Sequence, residues 1–109
     1  MKKVYIKDLR KDSEVIDFFM VKATAIKTGS NGKQYWDLTL GDKYGEVTAK
    51  KWDITDKEIE SILTIKEKDI VKVKALITEW AGQLQMRVMR IRPANENDEI
   101  DMQDYVKAA

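Results

Sequence analysis

The stretch NGKQYWDLTLGDKYGEVTAKKWD, Asn31 to Asp53, decides the fold. Apolar and polar residues alternate on both sides of Asp42-Lys43-Tyr44-Gly45. A period of two is the mark of a strand with one buried face, and two such runs around a turn sequence predict a β-hairpin. A turn over 42–45 sets Gly41 opposite Glu46, and the rest of the register follows. Leu40 faces Val47, Leu38 faces Ala49 and Trp36 faces Lys51 on the core side. Lys51 is placed at the rim, where its long stem can reach out to water. The opposite face pairs Thr39 with Thr48, Asp37 with Lys50 and Tyr35 with Trp52. Directly opposed residues have Cβ atoms about 5 Å apart, so the Tyr35 and Trp52 rings are expected to touch.

Working outward, Val15 to Ile26 (VIDFFMVKATAI) is β-branched and aromatic. Its first half is apolar on both faces, which predicts a long strand shared between two sheets. Lys27–Lys33 (KTGSNGK) reads as a loop. After the hairpin, TDKEIESIL predicts a short helix with Thr55 as N-cap and Glu58 completing a capping box. Ile59, Ile62 and Leu63 are expected to form its apolar stripe. Val71, Val73, Ala75 and Ile77 then alternate with Lys72, Lys74, Leu76 and Thr78. Ala81-Gly82 is a tight turn signal, and QLQMRVMRIR is the returning strand. That turn places Ile77 opposite Met86 and Ala75 opposite Val88 as core, with Arg87 opposite Leu76 outside it. Met89 and Arg90 cannot both keep the alternation, so a β-bulge is expected between Val88 and Ile91. Arg87, Arg90 and Arg92 are expected outside the core, with the bulge leaving open which face each takes. Residues 1–13 are polar and irregular, with a short apolar trio at Val4, Tyr5 and Ile6.

The order β-β-β-α-β-β is that of a five-stranded Greek-key OB-fold barrel with one helix between strands 3 and 4. Another small five-stranded barrel, SH3-like, is the alternative. The position of the helix and the long first strand favour the OB arrangement. Residues 1–92 form the expected OB domain, and 93–109 an acidic tail that either docks as a helical turn or links to a further C-terminal domain.

The chain has 109 residues, enough for one small domain and not two. It has no Cys and no His, which removes disulfides, thiolate chemistry and the commonest general base and metal ligand. No catalytic residue, metal site or cofactor is therefore expected, and a free-standing enzyme is disfavoured. No apolar run approaches the roughly 18 residues that cross a bilayer. Met1-Lys2-Lys3 leads straight into mixed polar sequence, so no signal peptide and a cytoplasmic location are expected. The net charge of +1 divides unevenly: residues 1–92 carry +5 and residues 93–109 carry −4. A mildly basic body suits a polyanionic partner.

On an OB barrel, the outer face of strands 2 and 3, between the 1–2 and 4–5 loops, is the usual ligand surface. Single strands bind such surfaces by stacking bases on aromatic rings while Lys and Arg take phosphates. Tyr35, Trp52, Lys50 and Lys33 are candidates there, with Trp80 beside the 4–5 turn and Arg87 on strand 5. A cross-strand aromatic pair also stabilises a hairpin without any ligand, so spacing alone leaves both roles open.

The segments FFMVKA, SNGKQYWDLTLGDKYGEVTAKKWD and DIVKVKALITEWAGQLQMRVMRIRPANENDEIDMQDYV resemble the N-terminal OB domain of YhaM-type bacterial 3′→5′ exoribonucleases. The likeness runs from about Val15 to Val106. It includes RPANENDEIDMQDYV, which an OB barrel does not need. The pattern G-K-x-Y-x-x-L-x-L-x-D-x-x-G-E-V is shared more widely, by OB domains of the anticodon-binding type. The resemblance implies a parent protein about three times this length. There an HD-type phosphohydrolase domain does the chemistry with a divalent metal, manganese by expectation, held by His and Asp. The OB domain would hold single-stranded RNA, and in the same family single-stranded DNA, for that domain. The OB-face positions carried over are Lys33, Tyr35, Lys50 and Trp52. Lys51 departs from the apolar residue usual at its position. The partners implied are single-stranded RNA or DNA and the HD domain of the same parent chain; no membrane is implied, and assembly into a homo-oligomer would run through the parent protein. The rival function is an OB domain used for protein–protein docking or oligomerisation, since Tyr, Trp and Arg also make protein hot spots.

Overall fold

A computed structural model describes residues 4–106. The basic start Met1-Lys2-Lys3 and residues 107–109 of the tail lie outside the described residues. Five strands, β1 (Glu14–Thr28), β2 (Gln34–Asp42), β3 (Gly45–Lys51), β4 (Ile70–Trp80) and β5 (Gln83–Pro93), close into a barrel in the order β1-β2-β3-β5-β4. The helix α1 (Asp56–Ile62) joins β3 to β4. Closure comes from β1, which pairs with β4 through Glu14–Met20 and with β2 through Met20–Thr28. A bulge between Val21 and Ala23 bends the strand where it changes partners. The other seam is a short parallel pairing of β3 with β5, Thr48–Lys50 against Gln85–Arg87.

The hairpin register is as read from the sequence. Leu40 pairs with Val47, Leu38 with Ala49, Trp36 with Lys51, and Asp37 with Lys50. The inward residues Trp36, Leu38, Leu40 and Ala49 meet Phe19, Val21, Val71, Val73 and Ile77 in one core. Trp36 is 1% exposed, and its indole N–H donates to Thr24 Oγ1 at 2.7 Å, so its polar edge is satisfied inside the barrel. At the 4–5 turn, Ala81 and Gly82 both have positive φ, +53° and +80°, the primed geometry that matches strand twist. The β5 bulge is present as well: Ala75 pairs with Val88 but Lys74 with Arg90, leaving Met89 as the extra residue.

Three details differ from the sequence reading. Leu63 is 67% exposed and takes no part in the apolar stripe. The helix ends at Ile62, and the chain turns so that Ile65 is buried beside Ile62 instead. Lys51 sits at the rim, half-buried, and finds a partner there rather than open water. Its ammonium lies 2.6 Å from Glu58 of α1, so an ion pair stands at this position, beside the buried Ile62 and Ile65. The Lys51 ammonium is the main reason the Glu58 carboxyl is held below its ordinary pKa, although Glu58 also takes a hydrogen bond from the Thr55 hydroxyl.

The irregular N-terminal segment is pinned by two buried carboxylates. Asp17 accepts the Val4 N–H at 2.7 Å, and Asp42 accepts those of Ile6 and Tyr44 at 2.7 and 2.8 Å. The tail packs nearby through a 3-10 turn at Met102–Asp104. Tyr105 is buried, the Lys43 N–H donates to the Asp104 carbonyl at 2.8 Å, and the Tyr5 hydroxyl donates to the Asp104 carboxylate at 2.8 Å. That hydrogen bond is the first cause of a Tyr5 pKa pushed up to about 12.

Candidate nucleic-acid interface

The outer face of β2, β3 and β5 collects most of the residues singled out in the sequence. Tyr35 and Trp52 stack across the strands with ring centroids 4.4 Å apart and planes inclined by 32°. Trp52 follows the last paired residue of β3, so its position depends on packing rather than on the ladder. A Cβ placed on Gly29 would lie 3.5 Å from the Trp52 ring, which puts the 1–2 loop backbone against its edge. The indole is thus held by Tyr35 and the loop, yet it remains 41% exposed. Asp53, with φ of +57°, turns the chain away immediately afterwards.

Beside this pair, Lys50 Nζ lies 5.7 Å from the Tyr35 ring centroid, within cation–π range. Lys50 pairs with Arg87 across the β3–β5 seam, which brings two cations side by side. Trp52, Lys50 and Arg87 line one shallow depression together with Trp80, Thr78 and Gln85. Trp80, at the mouth of the 4–5 hairpin, is 71% exposed. The depression therefore combines two exposed indoles with two cations.

Two charged residues behave differently from the simplest expectation. Asp37 lies opposite Lys50 in the ladder, but its carboxylate is 2.7 Å from Lys27 of β1. Lys27 pairs with Tyr35, one diagonal step from Asp37, and its flexible stem covers that step. The bond to Asp37 raises the Lys27 pKa. The carboxylate opposite Lys50 is thereby engaged by β1, and the Lys50 ammonium lies toward Tyr35. Lys33 stands apart on the 1–2 loop, with its ammonium 4.0 Å from Asp53 and both side chains well exposed. It joins the loop to the end of β3 and does not line the depression. Gly29, Thr78 and Gln85 were not singled out in the sequence. The two polar residues share the outward parity of Arg87 and Trp80, a signal visible once the 81–82 turn fixes the register.

Among the described residues no group of three or more carboxylates is placed to hold a metal ion. Among the described residues no helix is long and apolar enough to cross a membrane.

No family model matches the chain. Solved structures do. The second OB-fold domain of replication protein A from Methanococcus maripaludis superposes with a TM-score of 0.63 at 17% identity, over 90% of this chain and 98% of that one. The fold is an OB-fold. A replication protein A heterotrimer bound to ssDNA contains a chain matching 76% of this one at TM-score 0.56 and 12% identity, over 58% of its own length. A putative aspartyl-tRNA synthetase from Leishmania major Friedlin matches 91% of this chain at TM-score 0.60 and 17% identity, over 19% of its length. This OB barrel carries its aromatic pair and its Lys50–Arg87 pair on the outward side of the β2–β3–β5 surface.

Proposed function

We propose that this OB domain binds single-stranded nucleic acid through the depression bounded by Trp52 and Trp80. The observation that carries the reading is the joint placement of a partly exposed Tyr35–Trp52 stack, an exposed Trp80, and the Lys50 and Arg87 cations. Exposed indole faces offer stacking to unpaired bases, and the cations between them suit a phosphate backbone. The likeness to a replication protein A chain solved with ssDNA agrees with it. A base paired in a duplex keeps both its faces in the stack and offers none to the indoles. Anisotropy titrations of a labelled oligonucleotide, free and annealed to its complement at one salt concentration, test the reading. Tighter binding of the single strand is expected, and equal affinities would refute it.

The finer reading is that the domain serves a 3′→5′ exoribonuclease as its substrate-holding module, with cytoplasmic RNA or DNA as the strand. It rests on the resemblance of the segments quoted above, including the stretch after the barrel. In that reading residues 93–109 lead toward an HD domain that supplies metal-dependent hydrolysis. The DNA sequence downstream of codon 109 tests it directly: an HD motif supports it, and an unrelated domain there would remove it. Protein docking through the same aromatics is the competing use of this face. Salt separates the two, since binding through phosphates to a single strand weakens with a log–log slope of about −0.7 per contact.

A further inference from the structure

On β4 and β5, away from the hairpin, two pairs of like charges stand directly opposite each other. Lys72 pairs with Arg92, and Lys74 with Arg90. Like charges in that relation destabilise a sheet. The β5 bulge creates the arrangement. Strict alternation from Arg87 would turn Arg90 and Arg92 inward; the extra residue Met89 restores both to the outside, so Arg87, Arg90 and Arg92 share one face. Arg92 lies five positions after Arg87, and discounting the bulge residue leaves four strand steps, roughly 13 Å at about 3.3 Å per residue. Lys72, Lys74, Arg90 and Arg92 line one groove there, with the exposed apolar side chains of Ile16 and Met89.

The acids facing this groove neutralise it only in part. Asp98 takes both guanidinium nitrogens of Arg92, at 2.8 and 3.1 Å, and Glu14 lies 3.8 Å from Lys74. Glu58 is engaged by Lys51. Among the described residues no carboxylate lies within 4.0 Å of Arg90 or Lys72, although Asp98 feels the Lys72 charge through space and the Lys72 ammonium lies 5.7 Å from the Phe18 ring centroid. Arg87 lines the depression and Arg90 the groove, and the two are successive outward cations of β5, three positions apart across the bulge.

We propose that the β4–β5 groove is a second contact surface for the same single strand, with Lys72, Lys74 and Arg90 taking phosphates after the strand leaves the aromatic platform over Arg87. This rests on the single-strand reading of the platform and extends it from a stacking site to a path around the barrel. A polyanion relieves the opposed like charges, which gives the ligand class. Continuity through Arg87 makes that polyanion the strand already seated on Trp52.

The test compares labelled oligothymidylates of about 4 and about 12 nucleotides, lengths within the range known for OB-folds. Wild-type protein should show a steeper salt slope with the longer strand; equal slopes would overturn the proposal. The Lys72→Ala/Arg90→Ala variant should bind the short strand as wild type does. Its slope for the long strand should be smaller by about 1.4, two contacts at about 0.7 each, so a fourfold rise in salt costs it about sevenfold less affinity than wild type. Its Tm should not fall, because each opposed like-charge pair loses one member. Unchanged long-strand binding, or equal weakening of both lengths, would refute the path. Trp52→Ala is the companion: loss of short-strand binding there, with a silent patch variant, keeps the platform and removes only the extension. Tighter binding of an oligo-glutamate peptide than of the long strand, abolished in the patch variant, would make the groove a protein-docking surface instead.

Discussion

Two tryptophans sixteen positions apart on the same hairpin should respond to alanine in opposite ways. Trp36 is 1% exposed, fills the barrel and holds Thr24 through its indole N–H. Truncating a buried Trp typically costs about 3–5 kcal/mol, a large share of a small domain's stability, so Trp36→Ala should be largely unfolded at ambient temperature. Trp52 is 41% exposed and lies outside the core; its main contact is the tilted stack on Tyr35. An aromatic pair of that kind is worth about 0.5–1.5 kcal/mol beyond burial, which a folded barrel can lose. The binding loss should be the larger effect: about 1–3 kcal/mol for one stacked base, or roughly 5- to 140-fold in Kd. Circular dichroism with thermal melts reads folding, and anisotropy of a labelled single strand reads binding. If Trp52→Ala unfolds as Trp36→Ala does, the ring belongs to the core and the face assignment is wrong. If it stays folded with unchanged Kd, the hairpin face is not the binding site and protein docking becomes the better reading.

Lys50→Ala should leave melting unchanged and lower the magnitude of the single-strand salt slope by about 0.7, measured over a series of salt concentrations. Glu58→Gln should lower stability by less than about 1 kcal/mol at neutral pH, because the Lys51–Glu58 pair is partly solvated. Since the folded-state pKa of Glu58 is depressed, that difference is complete above the ordinary glutamate range and should vanish as pH falls through the lowered value; paired melts across pH check it. Ala81→Asn should raise Tm, with a gain of up to about 1 kcal/mol, because Ala81 sits at a φ of +53° that asparagine tolerates better. The rigorously purified chain should not degrade a labelled oligonucleotide with or without manganese; activity that co-purifies with the protein through every step would contradict this.

The hairpin was legible because its period, its turn and its β-branched content agree with one another. Once the turn at 42–45 is placed, parity alone assigns Leu38 and Leu40 to the core and Lys50 and Thr48 to the outside. The same logic located the β5 bulge, since Val88, Ile91 and Met86 cannot all be inward on an unbroken strand. Parity does not extend to ends. Leu63 looked apolar and periodic, yet the helix stops one residue before it and the chain turns, so Ile65 fills the position expected for Leu63. The N-terminal segment looked irregular because its order comes from buried Asp17 and Asp42, which are distant in sequence from the amides they hold.

By itself, then, the sequence determined which residues face in and which face out on the hairpin of β2 and β3 and on most of β4 and β5, and the order of the elements, because both follow from local periodicity and turn chemistry. Barrel closure was the decision of the tertiary structure. It brought β5 against β3, which set Arg87 beside Lys50 and put Trp80 in the same depression as Trp52, although each pair is separated by more than 25 residues. It also chose partners among charges. Lys27 took Asp37 and Lys51 took Glu58 because long flexible stems reach a neighbouring element as readily as the residue opposite. Side-chain reach in three dimensions, unlike strand parity, has no period for a sequence to display.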